Sequence, residues 1–335
     1  MASQEELRKS LMETAEILEK SVNLKEGIEQ ATKLLEKTVL TTTSGTFAQR
    51  EHLDREMADV TKRNTPFLDR VARVPANGLT HEWDIITAIG TTDTAVGENG
   101  TPPVNESTIE RYSAKIKTFA TRVEVSDRAQ WGAADYFDLM NLHLEGGLRK
   151  IMQDVDTKCF YGNASTAPNE FDGIYTLVDN LAPSDNLIDA QGNAINQTLI
   201  DQAIQAIIDQ GGMPNTIFMG AKDLKDFAAL WANKVVYNDP AAGMTFGYNV
   251  GRYLSFAGPL ELVLDPFING TTSPNGTNTD VFVLTLDEIA LAQAEEPYKL
   301  PTYRALTLAE TQAIVWNCVL EMRVPHWQAV ISNLG

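Results

Sequence analysis

The pattern of hydrophobic and polar positions is most informative over residues 79–126, where two alternating segments flank a polar tract. The first segment covers residues 79–89. The second covers residues 111–125, in which Phe119 and Val123 share one side. Period-two alternation bounded by turn residues predicts a long β-hairpin. Because an isolated hairpin is marginally stable in water, it needs a platform. A neighbouring copy of the chain is one candidate, and an ordinary solvent-facing hairpin on a compact enzyme is the alternative.

Apolar residues at steps of three and four predict two long helical regions. Residues 3–40 divide into two helices at residues 23–26, where Asn is followed three positions later by Glu. A second stripe predicts one continuous helix between Asp135 as N-cap and Gly162 as the stop. The Gly-Gly pair at 146–147 lies inside this helix. It indicates close packing of a neighbouring element, with a bend point as the alternative.

The remaining pattern predicts a mixed α+β architecture. Residues 171–304 alternate helix and strand signals without the regularity of a doubly wound sheet. The C-terminal segment alternates from Ile314 to Val324, is interrupted by Pro325 and resumes at residues 329–331. Both of its faces are largely apolar, which is typical of a central strand. Its predicted core residues are Trp316, Cys318 and Leu320.

Composition and charge narrow the possible functions. The 335-residue chain is 43% hydrophobic, enough for a sizeable core, and no apolar run approaches the roughly 20 residues that span a bilayer. Its first residues lack a signal-peptide pattern, so we expect a soluble protein with no membrane partner. Residues 76–335 hold 15 basic and 32 acidic residues, or −17 of the net charge of −18. Such a body has no basic stripe with which to bind nucleic-acid phosphates.

Motifs for catalysis and cofactor binding are missing from the sequence. It contains no nucleophile elbow, no phosphate-binding loop and no dinucleotide fingerprint. Its four histidines lack metal-ligand spacing, and His81 and Asp84 would point to opposite faces of a strand. Cys159 and Cys318 fall on apolar positions, which is typical of buried reduced thiols. We therefore expect no enzyme, no cofactor and no metal site.

Three sequence segments resemble parts of the tailed-bacteriophage major capsid protein family, and they occur in the same order along the chain. This family has the Hong-Kong-97-type capsid fold. They resemble the approach to its extended hairpin loop (67–74 and 83–85), the end of its spine helix with the start of its axial domain (160–162 and 170–177), and its peripheral return strand (315–325 and 329–331). The resemblance covers roughly residues 45–335.

The resemblance implies an α+β capsid fold with a defined order of parts. These are an N-terminal helical, scaffolding-like segment (1–46), an N-terminal arm (47–75), the extended hairpin loop (76–118), a peripheral domain with the spine helix (119–165), an axial domain (166–304) and the peripheral return strand (305–335).

The resemblance also implies that the hairpin and arm contact neighbouring subunits. Some family members join subunits through an isopeptide bond between a hairpin lysine and a neighbour's asparagine. Residues 76–113 contain no Lys, and the nearest are Lys115 and Lys117. We therefore expect arm overlap or accessory proteins, rather than covalent bonds, to stabilise the shell. The expected contact residues are Phe67, Leu68, Trp83, Ile85, Val96, Val104, Ile109 and Phe119.

The implied function is that of a structural major capsid protein. It would self-assemble as hexamers and pentamers into an icosahedral shell that encloses double-stranded DNA without sequence-specific binding. Such a protein belongs to the virion and assembles in the host cytoplasm. Expected partners are further copies of itself, portal and accessory or cement proteins, and a scaffold or maturation protease. An encapsulin-like nanocompartment shell and an α+β hydrolase with an unrecognised acid pair stay open as alternatives. A tail or fibre protein is a third alternative, which the absence of sequence repeats disfavours.

Overall fold

The structure, a computed structural model, forms two units, Met1–Met57 and Ala58–Gly335. It describes residues 4–37, 64–90, 93–133, 138–231, 251–269, 273–274, 276–304 and 308–335. The helices are α1 (Gln4–Lys37), α2 (Pro66–Arg70), α3 (Asp127–Ala133), α4 (Leu139–Tyr161), α5 (Ile174–Leu181), α6 (Gln197–Asp209) and α7 (Ala221–Trp231). The strands are β1 (Ala72–Pro75), β2 (Thr80–Ala88), β3 (Thr108–Lys115), β4 (Lys117–Ser126), β5 (Leu187–Asp189), β6 (Thr216–Met219), β7 (Arg252–Ser255), β8 (Gly258–Leu264), β9 (Thr279–Leu284), β10 (Ile289–Gln293), β11 (Tyr298–Lys299), β12 (Tyr303–Arg304), β13 (Ala309–Met322) and β14 (Ala329–Leu334).

The first unit contains α1, a single helix of 34 residues. The predicted break at residues 23–26 is wrong, because the helix continues through it. An Asn and a Glu at this spacing cap a new helix only where the backbone in front of them is not helical. The single Gly27 lowers the stability of the helix by about 1 kcal/mol relative to Ala, and the helix continues through it. Several apolar side chains of α1 are exposed: Leu11, Met12, Ile17, Leu18, Val22 and Leu24.

In the second unit, strand β13 is the centre of the first sheet. It pairs with β4 on one side and with β10 and β11 on the other, while β12 pairs near its start. Trp316 lies opposite Phe119 of β4, and Leu320 lies opposite Leu291 of β10. Trp316, Cys318 and Leu320 are at most 1% exposed, so their prediction as core residues is confirmed.

The second sheet has the strand order β5-β14-β9-β6-β8-β7. Strand β14 runs antiparallel to β9 and parallel to β5. Because β13 belongs to the first sheet, the chain passes from the first sheet to the second between β13 and β14. A short 3₁₀ turn, Pro325–Trp327, makes this change. The sequence pattern predicted the interruption at Pro325 but not the change of sheet. The predicted return segment 305–335 is thus divided between the two sheets.

Helix α4 packs against β4 and β13 of the first sheet. Its N-cap is Asp138, whose side chain accepts from the backbone nitrogens of Met140 and Asn141. The predicted N-cap, Asp135, lies outside the described residues. Gly162 ends the helix as predicted. A Cβ placed on Gly147 would lie 3.2 Å from the Thr121 side chain of β4, which confirms the predicted close packing at this glycine. A Cβ on Gly146 would meet no atom within 4 Å.

Aromatic packing at the C-terminal end of α4 connects the two sheets. The Phe160 ring lies 4.8 Å from that of Phe282 on β9 and 5.7 Å from that of Phe218 on β6. The Phe67 ring of α2 lies 4.9 Å from Phe160. All four rings are completely buried. The second unit therefore has a continuous core beneath both sheets, and α2 is part of it.

Strands β2 and β3 form a separate two-stranded sheet. The predicted first hairpin strand, 79–89, agrees with β2. The predicted second strand, 111–125, combines two strands, because the chain changes partner at Ile116. Residues before it pair with β2, and residues after it pair with β13. None of the helices in the described ranges is long and apolar enough to cross a bilayer.

Candidate subunit-contact surfaces

One face of the hairpin carries an aromatic row directed toward the body of the unit. Trp83 of β2 lies opposite Tyr112 of β3, and their rings stack with centroids 6.4 Å apart. The His81 ring stacks on Trp83 at 5.8 Å. Side chains at alternate strand positions share a face, so His81, Trp83 and Ile85 lie together, each partly buried.

The opposite hairpin face is charged and open to solvent. Arg111 donates to the Asp84 carboxylate at 2.7 Å and lies 3.7 Å from Glu82 across the strand pair. The hydrogen bond from Arg111 lowers the pKa of Asp84. Because all three groups are exposed, this network contributes little to stability and mainly favours the strand register.

A mostly buried hydrogen bond between two side chains fixes the base of the hairpin to the first sheet. His81 Nε2 lies 2.9 Å from Glu321 Oε2 of β13. The Glu321 side chain is only 3% exposed, and Arg323 Nε donates to its other oxygen at 2.9 Å. Leu79 O accepts from Ile116 N at the same end. The hairpin is therefore held at its base by specific polar contacts.

The far end of the hairpin exposes apolar side chains. Val104 is 78% exposed, and Ile86, Ile89, Val96 and Ile109 also face solvent. Residues 93–107 connect the strands outside regular helix or strand, and they contain acidic but no basic residues. Exposed apolar residues of this density indicate a surface that another molecule covers.

The predicted contact residues fall into three groups. Val96, Val104 and Ile109 are exposed on the hairpin, and their contact with a neighbour stays a prediction. Trp83, Ile85 and Phe119 are partly buried within the unit, and the Phe119 ring lies 5.7 Å from Phe171. Phe67 and Leu68 are at most 2% exposed. The prediction that these two residues contact a neighbour is wrong, because the core of their own chain covers them.

Further exposed apolar residues were missed by the sequence interpretation. Trp131 of α3 is 82% exposed. Leu254 of β7 and Phe256, in the turn that joins β7 to β8, are also exposed. Leu308, before β13, is also exposed. Large apolar residues are usually buried, so their identity alone gave no signal of exposure. The alternation that places Leu254 on the outer side of a short edge strand was the only available indication.

Buried carboxyl groups lie beneath α2 and at the second sheet. Asp156 of α4 accepts from Leu68 N at 3.2 Å, and burial, together with the charge of Asp265, raises the Asp156 pKa to about 9. Burial also raises the pKa of Asp223 to about 6, although its carboxylate accepts from Thr279 Oγ1 at 2.8 Å. These groups lie inside the packed core. Three surface cavities, of about 250, 380 and 460 Å³, are lined by other residues.

The two cysteines are buried in the core beneath both sheets, as predicted. Burial raises the pKa of both Cys159 and Cys318, so neither is an activated thiolate. Within the described ranges, no group of three or more His, Cys, Asp or Glu side chains is placed to hold a metal ion.

Two sheets joined at the end of a long helix, with a separate two-stranded hairpin, define a capsid fold of the Hong-Kong-97 type. The SU10 major capsid protein family matches residues 39–335, and the chain belongs to that family. A protein of Enterococcus phage phiEF24C that carries the name of a major capsid protein is 22% identical over 238 residues, or 66% of this chain. The chain spans about half of that relative's length, 49%.

Solved structures with the same fold include capsids and an encapsulin. A capsid of a native GTA particle matches with a TM-score of 0.67 and 11% identity, over 89% of this chain and 100% of that one. A chain of Mycobacterium phage Bobi matches with a TM-score of 0.63 and 12% identity, over 87% and 98%. The SrpI encapsulin of Synechococcus elongatus PCC 7942 matches with a TM-score of 0.58 and 8% identity, over 88% and 96%. At these identities the likeness shows the fold.

Proposed function

We propose that this chain is the structural shell subunit of a tailed-phage capsid. It self-assembles as hexamers and pentamers into an icosahedral shell around double-stranded DNA. The observation that carries the proposal is the hairpin, a separate two-stranded sheet with exposed apolar residues at its far end. Membership of the SU10 major capsid protein family supports the same role.

Under this proposal, each part of the fold has a defined role in the shell. The hairpin, β2 and β3, is the extended loop that lies on an adjacent subunit, and α4 is the spine helix. The first sheet builds the peripheral domain. The second sheet, to which β14 contributes, builds the axial domain around capsomer centres. The helix α1 takes the place of a scaffolding-like segment, and its exposed apolar residues supply a surface for helical partners.

The charge of the chain supports a container for DNA. Residues 76–335 carry −17 of the net charge, so the walls of a shell built from them repel phosphates. A genome inside such a shell is enclosed without sequence-specific contacts. The proposed shell has portal proteins, cement proteins and a maturation protease as its partners. The assembled shell is part of the virion.

An encapsulin-like nanocompartment is the second candidate function, because an encapsulin shares the fold. The two differ in what the shell contains, DNA or a protein cargo. A hydrolase is disfavoured because the paired carboxyls Asp156 and Asp265 lie in the core, away from the surface cavities. Its reaction would need an acid pair within reach of a substrate.

Electron microscopy of the purified full chain tests the proposal. We expect closed particles several hundred Å across, formed by the chain alone or with its scaffold. Particles from infected cells should contain nuclease-protected DNA, whereas a protein cargo without DNA would favour the nanocompartment. A discrete monomer or dimer under all assembly conditions would contradict both shell functions.

A further inference from the structure

A cavity of about 250 Å³ lies between the base of the hairpin and the body of the second unit. Its lining is mainly apolar. Trp83 and Tyr112 line it from the hairpin, and Phe171, Leu320 and Met322 line it from the body. Because an apolar cavity of about 150 Å³ holds benzene, this one has room for a molecule of about ten non-hydrogen atoms. Larger ligands need about 300–1,000 Å³.

Trp83 supplies a hydrogen-bond donor at this cavity. Its Nε1 atom is buried, and no acceptor pairs with it in the described part of the chain. A buried N–H without a partner is unfavourable, and a carboxylate is the strongest acceptor it can meet. Since Trp83 lines the cavity, a molecule bound there can bring an oxygen to the indole. A ligand with an acceptor at one end is therefore preferred to a wholly apolar one.

The charged residues of the cavity lining favour an anion. Lys115 and Lys117 both line it, and Lys115 is exposed. Lys117 Nζ donates to Pro168 O at 2.5 Å and keeps N–H groups for other acceptors. Asp172 is the one carboxylate among the described lining residues, and it accepts from Ala164 N at 2.8 Å. Two lysines against one aspartate leave the lining with a net positive charge.

This local charge is opposite in sign to that of the chain as a whole. The chain has a net charge of −18, and residues 76–335 carry −17 of it. Most of the protein surface therefore repels an anion and attracts a cation without any specific site. Only a local arrangement of donors and basic groups favours an anion over a cation of the same shape. The sign of the preferred ligand thus separates a built site from general adsorption.

We propose that the cavity binds a small monocarboxylic acid with an apolar tail. The tail lies among Phe171, Leu320 and Met322, while the carboxylate accepts from Trp83 Nε1 and pairs with Lys115. The volume limits such an acid to about eight carbon atoms. The site goes beyond the structural role proposed above and does not require that the chain builds a shell.

The bound acid connects the hairpin to the body. The cavity is lined by residues of β2 and β3 on one side and of α5 and β13 on the other. A ligand in contact with both sides stabilises the present direction of the hairpin, in addition to the contact between His81 and Glu321. Binding therefore slows the opening of β2 and β3, which amide hydrogen exchange measures.

Titration calorimetry of the purified full chain with octanoate tests this site. Octanol keeps the tail without the charge, octylammonium reverses the charge, and acetate lacks the tail. We expect saturable binding of a single octanoate per chain. Its affinity should exceed that of each control by about tenfold or more, because a hydrogen bond to a charged group has this effect. Hydrogen exchange in β2 and β3 should slow with octanoate and stay unchanged with acetate.

Two variants test where the carboxylate binds. Trp83→Phe removes the N–H, keeps an aromatic ring and should weaken octanoate binding by about tenfold. Lys115→Gln removes an exposed charge and should weaken it by about threefold, which keeps the test decisive if Trp83→Phe disturbs the hairpin. Octanol binding should stay unchanged in both. Lys222→Gln, exposed on α7 outside the cavity, is the matched control and should bind octanoate as the native chain does.

Three results would overturn the assignment. Octanol or octylammonium that binds as tightly as octanoate, or equal weakening by Lys222→Gln, would show adsorption without recognition of a carboxylate. A chain that binds no octanoate, and whose β2 and β3 already exchange slowly on self-association, would have its cavity filled by a polypeptide segment. An unassociated chain that binds no octanoate would have a cavity that admits no ligand. All of these results are independent of whether the chain forms closed particles.

Discussion

His81 of the hairpin and Glu321 of the central strand form a mostly buried hydrogen bond, with Nε2 and Oε2 2.9 Å apart. These residues are 240 positions apart in sequence and belong to different sheets. Their contact, together with the hydrogen bond from Ile116 N to Leu79 O, holds the base of the hairpin on the first sheet. The two-stranded hairpin gains little rigidity from its own pairing, so its direction depends on this base.

Replacement of His81 by Ala should loosen the hairpin without unfolding the body. The change removes one partner of Glu321, a loss of about 1–3 kcal/mol for a buried polar group. Amide hydrogen exchange in β2 and β3 should become faster, while exchange in β13 should change little. Arg111→Ala, which breaks an exposed pair on the same hairpin, is the control and should have a smaller effect. Equal exchange rates in the two variants would contradict the role of the His81–Glu321 pair.

The pKa of Asp156 predicts a pH-dependent stability. Burial raises this pKa to about 9 in the folded chain, whereas an unfolded Asp titrates near 4. Between these values the folded state binds one more proton than the unfolded state. The free energy of unfolding should therefore fall as pH rises through this window, by at most about 1.4 kcal/mol per pH unit.

Asp156→Asn removes this titration and keeps an acceptor for Leu68 N. Urea unfolding of the unassembled chain at about pH 5 and about pH 8 measures the effect. The variant should lose less stability between the two pH values than the native chain. Asp209→Asn, at an exposed position, should behave like the native chain. An equal pH dependence in all three proteins would show that Asp156 is ionised in the folded state.

Trp316 provides the sharpest test of the core beneath both sheets. It is 1% exposed, and its indole nitrogen donates to Gln293 Oε1 at 3.3 Å. Trp316→Ala should lower the free energy of unfolding by about 3–5 kcal/mol, because it leaves a cavity at the centre of β13. Trp131→Ala, at an exposed position on α3, should change it by less than about 0.5 kcal/mol. Similar urea midpoints for the two variants would place Trp316 outside the core.

The central strand shows what the sequence could predict. Its alternation was long, its two faces were both apolar, and Pro325 marked its end. The boundary inside residues 108–126 could not be predicted in the same way. Apolar and polar residues alternate on both sides of Ile116. The pairing partner changes there from β2 to β13, but the local sequence pattern does not change. Pairing partners distant in sequence decide where β3 ends.

The residues of the subunit-contact surface were predicted only in part, because packing between residues distant in sequence decides which side chains are exposed. Phe67 and Leu68 resembled an exposed arm because their own neighbours in sequence are charged. They are buried because Phe160, Phe218 and Asp156, all at least 88 positions away, surround them. Conversely, the cavity at the hairpin base is formed by segments that no single pattern connects. Both features depend on long-range packing, which periodicity does not encode.

Deletion of residues 90–106 tests most directly the claim that the hairpin joins subunits into a shell. In the first variant, a two-residue Asn-Gly turn replaces these residues. In the second variant, the loop keeps its length but has Gly and Ser in place of the native residues. Sedimentation and electron microscopy, with urea unfolding to confirm that the body remains folded, measure the outcome. Our account predicts folded subunits that fail to close particles in both variants. Particles of native size and yield from the deleted chain would contradict it.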